Sequence, residues 1–143
     1  MAGYSTTPLV RKLGIKPGAS IALLAAPEGF EAQLCDPPPG LPQGARIHRS
    51  LGEGAPFDIV LCFTSRRSAL AALIRDARPV MSPACGLWVA WPKRASRLPT
   101  EVDENAMREL ALPTGLVDNK VCAVDETWSG LRLVIRRELR PVP

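Results

Sequence analysis

The chain has 143 residues, 46% of them hydrophobic and 22% charged, which is enough for the core of one domain spanning residues 1–143. No apolar run approaches the roughly 18 residues of a membrane span, and the N-terminus lacks the basic-then-apolar pattern of a secretion signal, so we expect a cytoplasmic protein without a membrane partner. The net charge of +4 allows an anionic partner, but the few aromatic residues are not interleaved with basic ones, which makes nucleic acid an unfavoured partner.

The four cysteines, Cys35, Cys62, Cys85 and Cys122, are widely spaced and form no CxxC pair. A zinc site needs closely spaced ligand pairs, and the single histidine, His48, cannot supply the missing ligands. Free cysteine is also a frequent core residue. We therefore predict unpaired thiols and no metal. From a different segment, the turn "AAPEGF", we also predict no bound cofactor.

The first predicted elements are a short helix and an apolar strand. The helix over "TTPLVRKLG" is expected to begin at a Thr7 cap, with Pro8 at its first position and Gly14 at its exit. "SIALLAA" then reads as the first strand.

The next stretch predicts little regular structure. "PEGFEAQLCD" can form one or two helical turns before the prolines of "DPPPGLPQG" stop any helix. "ARIHRS" is a weak second strand, and "LGEGAP" is a loop. The connection from this strand to the next is too short for a full crossover helix, so part of the usual doubly wound layout must be missing.

The middle of the chain predicts a buried strand followed by an amphipathic helix. "FDIVLCFT" is a continuous apolar run of the kind buried on both faces of a parallel sheet. Ser65 can cap the following helix. The apolar positions of that helix have helical spacing and are Leu70, Leu73, Ile74 and Ala77.

The last third predicts a strand, a helix and a hairpin. "LWVAW" is a buried strand ended by Pro92, and Thr100 with Asp103 resembles a capping box that opens the next helix. "NKVCAVDE" and "LRLVIRR" flank a turn at "TWSG". Strands that alternate with helices and end in a hairpin indicate an open, mostly parallel α/β sheet with helices on both faces. Its expected core includes Ile59, Leu61, Val89 and Val121.

This order of segments resembles the Rossmann fold of class I methyltransferases. A leading helix precedes "LGIKPGASIALLAAPEGF", and the strand "FDIVLCF" follows in the middle. "SPACGLWVAWPK" stands where those enzymes carry a proline–glycine turn before a strand. The resemblance implies a single-domain, three-layer α/β fold with a C-terminal antiparallel hairpin and a shortened second crossover.

More narrowly, the chain resembles a family of short bacterial proteins known as a domain of unknown function. The resemblance is carried by "LGIKPG", "APEGF", "LWVAWPK" and the long, specific "GLVDNKVCAVDETWSGLRLV". These segments together extend over nearly the whole chain. Because that family has no established activity, the resemblance supports the fold and not a function.

The turn "AAPEGF" stands where nucleotide-binding folds place a glycine-rich phosphate loop. A dinucleotide site has the pattern G-x-G-x-x-G, and a methyltransferase site similarly has several glycines and a carboxylate at a strand end. Here the turn offers Gly29 alone, Pro27 lacks an amide donor, and "ARIHRS" ends without Asp or Glu. We interpret the turn as a degenerate site that binds neither S-adenosylmethionine nor NAD.

Ligands of open α/β sheets bind beyond the carboxyl ends of the strands. In this chain that edge would gather "APEGF", "TSRRS", "WPKR" and "DETWSG". The candidate ligand-binding residues on these segments are Glu28, Gly29, Ser65, Arg66, Arg67, Trp91, Lys93, Asp125 and Trp128.

The basic candidates point to an anion. Ser65, Arg66 and Arg67 would lie at a helix start, whose amides and dipole favour negative charge, and Lys93 would add a cation. Trp91 and Trp128 could give an apolar wall. Each has an ordinary alternative, because hydroxyls cap helices, surface cations are usually solvated and tryptophans are usually core residues. Glu28 could act as an acid or base, or its charge could simply favour a helix N-terminus, and no catalytic residue is assigned.

Three functions remain open. The first is a non-enzymatic Rossmann-like module that binds a small anionic ligand or a protein partner. The second is a divergent S-adenosylmethionine-dependent methyltransferase. The third is a nucleic-acid-associated protein, whose binding would depend strongly on salt.

Overall fold

The computed structural model describes residues 7–140, which form one six-stranded sheet. The strands are β1 (Ser20–Leu24), β2 (Arg46–His48), β3 (Phe57–Phe63), β4 (Met81–Pro92), β5 (Leu116–Ala123) and β6 (Trp128–Ile135). Their order across the sheet is β2-β1-β3-β4-β6-β5. The four strands from β2 to β4 are mutually parallel, and β6 is antiparallel to both of its neighbours. The predicted mostly parallel sheet with a C-terminal hairpin is confirmed.

Within residues 7–140, four α-helices cover the two faces of this sheet. They are α1 (Leu9–Lys12), α2 (Phe30–Cys35), α3 (Arg67–Ala77) and α4 (Glu104–Ala111). Buried residues of α1 and α2 share one hydrophobic cluster, and those of α3 and α4 share the other. The chain is therefore a three-layer α/β structure, as the alternation of strands and helices predicts.

The central strands are buried on both faces. Leu61 of β3 packs on the α1–α2 face, whereas Val89 of β4 packs on the α3–α4 face. Trp88 on β4 is fully buried, and its indole Nε1 donates a 3.1 Å hydrogen bond to the carbonyl of Leu13. This bond ties the end of α1 to the middle of the sheet, because a buried indole N–H needs an acceptor.

The prediction that Val121 is a core residue is wrong. Val121 is 49% exposed, whereas Ile59 at 4% is buried as predicted. The difference follows from strand position, since β5 pairs only with β6 and forms one edge of the sheet. A run of apolar residues does not reveal that it belongs to an edge strand.

The N-caps of three helices differ from the predicted ones. Helix α1 begins at Leu9, and Pro8 is its N-cap. The sequence predicts the cap at Thr7 and Pro8 as the first helical residue, so both predictions place the helix start one residue too early. Helix α3 begins after Arg66, and Ser65 does not cap it.

Helix α4 is capped by Asp103, which accepts a 2.8 Å bond from the Ala106 amide. Thr100 instead accepts a bond from the amide of Val102, so the proposed capping box is wrong.

Two strand boundaries also differ. β4 begins at Met81, well before "LWVAW"; Met81 pairs with Phe57 of β3, and the register then shifts before Ile59 pairs with Gly86. β6 begins at Trp128, so the hairpin turn lies at 124–127 and not at "TWSG". In both cases the strand starts earlier than its apolar pattern indicates, because polar or small residues extend it at the amino end.

The second crossover is short, as predicted. The segment 49–56 between β2 and β3 contains no helix. The usual doubly wound order 3-2-1-4-5-6 has another strand beyond the second, and this sheet has none within residues 7–140. The three-residue β2 is consequently the other edge of the sheet.

The cysteines of the described chain are all free, and Cys62 and Cys85 are buried. No group of metal-binding side chains comes together within residues 7–140. In the same range, no helix combines the length and the hydrophobicity needed to cross a bilayer.

Candidate functional site

The segments predicted to form a ligand edge do meet at one edge of the sheet. The amide of Lys93, just after β4, donates a 2.8 Å bond to the carbonyl of Thr127 in the hairpin turn. The amide of Thr64, just after β3, donates a 2.9 Å bond to the carbonyl of Ala90. We refer to this as the carboxyl edge, because the strands β1, β3 and β4 all end there.

The candidate residues at this edge do not form one site, because the sheet separates them. Trp91 belongs to the cluster under α3 and α4, whereas Trp128 packs against the cluster under α1 and α2. The two rings therefore lie on opposite faces and cannot form a single wall. Within residues 7–140, cavities open at the edge at three separate places instead, beside Lys93, beside Asp125 and beside Gly29.

The largest of the three, which we call the basic groove, has a volume of about 700 Å³. One wall is the loop after β4, which carries Lys93, Arg94 and Arg97. Trp91 and Val102 supply the buried apolar part. The groove thus combines three cations with an apolar surface, and Arg94 and Arg97 belong to it although sequence reasoning did not select them.

The opposite wall of the basic groove carries carboxylates that already have partners. Glu101 accepts a 3.0 Å bond from the backbone amide of Arg67. Asp103 caps α4, and Glu104 forms an ion pair with Arg108 at 3.3 Å. None of the three cations on the first wall makes an ion pair with another residue of the 7–140 range. The positive charge of the groove is therefore the part left without an internal counterion.

The predicted anion site at the start of α3 is occupied by the protein itself. Glu101 binds the Arg67 amide, and the Arg67 guanidinium pairs with the carboxylate of Glu109. The amide of Arg66 is bound by the Thr64 hydroxyl at 3.2 Å, while the Ser65 carbonyl accepts a bond from the Glu101 amide. Side chains of the chain thus bind both of the Arg66 and Arg67 amides at this helix start.

The turn after β1 departs from a phosphate loop. Ala25 has φ +56° and Gly29 has φ +83°, so an alanine stands at one of the two left-handed positions. Glu28 is exposed at this turn and has no ion pair within the described chain. A cavity of about 510 Å³ lies beside the turn, and Glu31 and Arg49 line it.

An ion pair crosses this second cavity. The Arg49 guanidinium donates to both carboxylate oxygens of Glu31, at 2.6 and 2.7 Å. Arg49 directly follows β2, where a nucleotide-binding fold of this kind places the carboxylate that holds a ribose. The charge at that position is therefore reversed, and its partner is a residue of α2.

Aromatic rings fill the middle of the carboxyl edge. Phe63 is the last residue of β3. Its ring centroid lies 4.7 Å from that of Phe30 in α2 and 5.0 Å from that of Trp128, both in edge-to-face geometry. Phe30 and Phe63 are both buried. Trp128 consequently contributes to packing at the candidate edge.

Asp125 organises the hairpin turn. One carboxylate oxygen accepts 2.8 Å bonds from the amides of Thr127 and Trp128, and the other accepts a 3.1 Å bond from the Gln33 side chain. Such bonds are those of an Asx-type turn. They leave Asp125 with less capacity for a ligand than its exposed neighbour Glu126, which has no ion pair within residues 7–140.

The thiols are held in their protonated form. Burial raises the pKa of Cys62 to about 11, and burial with the charge of Asp58 raises that of Cys85 to about 12. Since the thiolate is the nucleophile, these two residues are unsuited to covalent catalysis.

Comparisons with known proteins support the fold alone. No family model and no curated protein sequence matches the chain. Among solved structures, a SAM-dependent methyltransferase from Aquifex aeolicus has a TM-score of 0.66 at 12% identity, covering 89% of this chain and 88% of that one. Aeropyrum pernix fibrillarin, with natively bound S-adenosyl-L-methionine, has a TM-score of 0.61 at 14% identity over 90% and 69%. The ribosomal protein L11 methylase of Lactobacillus delbrueckii subsp. bulgaricus gives 0.60 at 9% identity over 90% and 75%.

The chain therefore has the Rossmann fold of class I methyltransferases, and the fit of its residues to S-adenosylmethionine can be tested directly. The turn after β1 has Pro27 and one glycine, Arg49 replaces the expected ribose carboxylate, and buried rings occupy the centre of the edge. These residues do not fit the cofactor. The basic groove lies elsewhere, and its signal in the sequence is the cation-rich stretch "PKRASR".

Proposed function

We propose that the chain is a non-enzymatic binding module of methyltransferase fold, which holds a small anionic ligand in the basic groove. The observation that carries the proposal is the difference in charge pairing between the two walls of the groove. The carboxylates are already bound to amides or to an arginine, whereas Lys93, Arg94 and Arg97 have no counterion within residues 7–140. Arginine suits this role because its planar fork donates two parallel hydrogen bonds to an oxyanion.

The narrower family assignment belongs to this proposal as well. The long segment "GLVDNKVCAVDETWSGLRLV" supports membership of the short bacterial family that the chain resembles. A divergent methyltransferase is the second candidate, and the shared fold favours it. A methyltransferase would have to bind S-adenosylmethionine at the turn after β1, where Pro27, Arg49 and the buried aromatic rings do not fit the cofactor.

Thermal unfolding in phosphate and in chloride of matched ionic strength tests the anion site. We expect phosphate to raise the Tm by several degrees more than chloride, since a ligand at about 100 times its Kd adds about 2.7 kcal/mol of stability. The triple variant Lys93→Gln, Arg94→Gln, Arg97→Gln should lose this difference and keep its fold by circular dichroism.

A charge-matched control separates the groove from net charge. Arg11, Arg46 and Arg137 are exposed, lie away from the groove and have no ion pair within the described chain. Their combined change to glutamine should leave the phosphate effect intact. An equal effect of phosphate and chloride on the wild-type protein would refute the proposed function.

A further inference from the structure

A separate cavity of about 320 Å³ lies at the opposite edge of the sheet, where the parallel strands begin. The loop between α1 and β1 forms one side of it, and the starts of β3 and β4 form the other. The residues that line this amino-edge cavity include Gly14, Lys16, Gly18, Asp58, Ala84 and Arg132. It lies far along the strands from the basic groove and shares no lining residue with it.

The backbone of the neighbouring strand β4 leaves room for the Arg132 side chain beside this cavity. Arg132 is half-buried on β6, on the face covered by α1, and its side chain crosses Gly86 of β4. A Cβ at position 86 would lie 2.5 Å from the Arg132 Nε, a distance that Cβ atoms in proteins essentially never show, so the Arg132 side chain would have to shift. Glycine at this position thus gives the guanidinium its place, and the guanidinium has no ion pair within residues 7–140.

Asp58 supplies a fixed negative charge to the same cavity. Its carboxylate accepts a 2.9 Å bond from the amide of Ser20 and a 3.5 Å bond from the hydroxyl of Ser82. These bonds orient the side chain and leave it free lone pairs. Asp58 forms no ion pair with Arg132 or Lys16, so charges of both signs line the cavity without direct contact between them.

From this arrangement we propose that the amino-edge cavity binds a small zwitterion of the size and chemistry of an α-amino acid. The ligand carboxylate is held by Arg132 and Lys16, and its ammonium group by Asp58. The volume lies at the low end of the roughly 300–1,000 Å³ range of small-molecule sites, which suits a ligand of this size. A dianion such as phosphate is disfavoured, because Asp58 repels it.

The test is calorimetric titration of the wild-type protein with the twenty proteinogenic amino acids, first in pools and then singly. Acetate and methylammonium serve as half-ligand controls. We expect saturable binding of at least one amino acid and none of either control. Lys16→Gln, an exposed substitution that should not disturb folding, is expected to weaken binding several-fold, and Asp58→Asn and Arg132→Gln should each abolish it.

The outcome is independent of the proposed function. The Lys93→Gln, Arg94→Gln, Arg97→Gln variant should bind the same amino acid as tightly as the wild type does. The inference is overturned if no amino acid binds, if acetate binds equally well, or if Lys16→Gln leaves the affinity unchanged.

Discussion

The carboxylate of Glu101 accepts a 3.0 Å hydrogen bond from the backbone amide of Arg67, at the first turn of α3. This is the position at which the sequence predicts an external anion, because helix N-termini attract negative charge. The protein supplies that anion itself. The cations left without an internal partner are those of the loop after β4, and for this reason the proposed ligand site lies in the basic groove.

Glu101→Ala should uncover the start of α3. Loss of this contact is expected to lower the free energy of unfolding by about 1 kcal/mol, the usual effect of removing a side chain that caps a helix. The freed amide should then make phosphate stabilise the variant more than it stabilises the wild type. Urea unfolding in phosphate and in chloride measures both effects.

Glu53→Ala is the control for this experiment, since Glu53 is exposed and has no ion pair within the described residues. It should change neither the stability nor the response to phosphate. An identical phosphate effect in Glu101→Ala and the wild type would show that the carboxylate does not compete with external anions.

Leu61→Ala should be strongly destabilising. Leu61 is 1% exposed in the middle of β3, and truncation of such a residue costs about 2–5 kcal/mol through lost contacts and a remaining cavity. Val121→Ala provides the matched comparison, because Val121 is 49% exposed on the edge strand and should cost about 0.5 kcal/mol or less. Comparable losses in denaturant titrations of the two variants would contradict the assignment of core and edge.

The two buried thiols should make stability fall in alkaline solution. Burial raises the pKa of Cys62 to about 11 and is the main cause that raises that of Cys85 to about 12, from an ordinary value of 9.0. The unfolded thiols therefore lose protons at lower pH than the folded ones do. Their contribution is complete below pH 9 and is lost as the pH rises towards the folded values.

Unfolding free energies at pH values below and above 9 check this dependence. The double variant Cys62→Ala, Cys85→Ala is expected to be less stable than the wild type but to show a shallower alkaline decline. An equal decline in both proteins would mean that other groups cause it. Neither thiol should react with a disulfide reagent in the native protein.

The layer order could be predicted from the sequence, because it depends on apolar runs and on their spacing. "FDIVLCF" and the helix positions Leu70 and Ile74 lie where the pattern places them. Helix starts were less predictable, since a hydroxyl at Ser65 or Thr100 fits a cap locally. At α3 the carboxylate of Glu101, from another segment, makes the actual bond, and at α4 the N-cap is Asp103 itself. The exposure of Val121 depends on strand order, which no local pattern contains.

The position of the candidate residues at the carboxyl edge could be predicted from the sequence, but which of them lie together could not. Trp91 and Lys93 line the same groove, because Trp91 is near the carboxyl end of β4 and Lys93 is the first residue after that strand. The separation of Trp91 from Trp128 depends on which face of the sheet each residue occupies, and this requires the pairing register of β4 with β6. The Arg49–Glu31 pair joins segments that only the parallel pairing of β1 and β2 brings together.

A ¹H–¹⁵N titration of the backbone amides with phosphate and, separately, with S-adenosylmethionine tests the proposed function most directly. We expect phosphate to shift amides around the basic groove, at 93–98 and 101–105, and S-adenosylmethionine to cause no saturable shift at 25–30. Saturable shifts at 25–30 with S-adenosylmethionine, or no shift at 93–98 with phosphate, would contradict it.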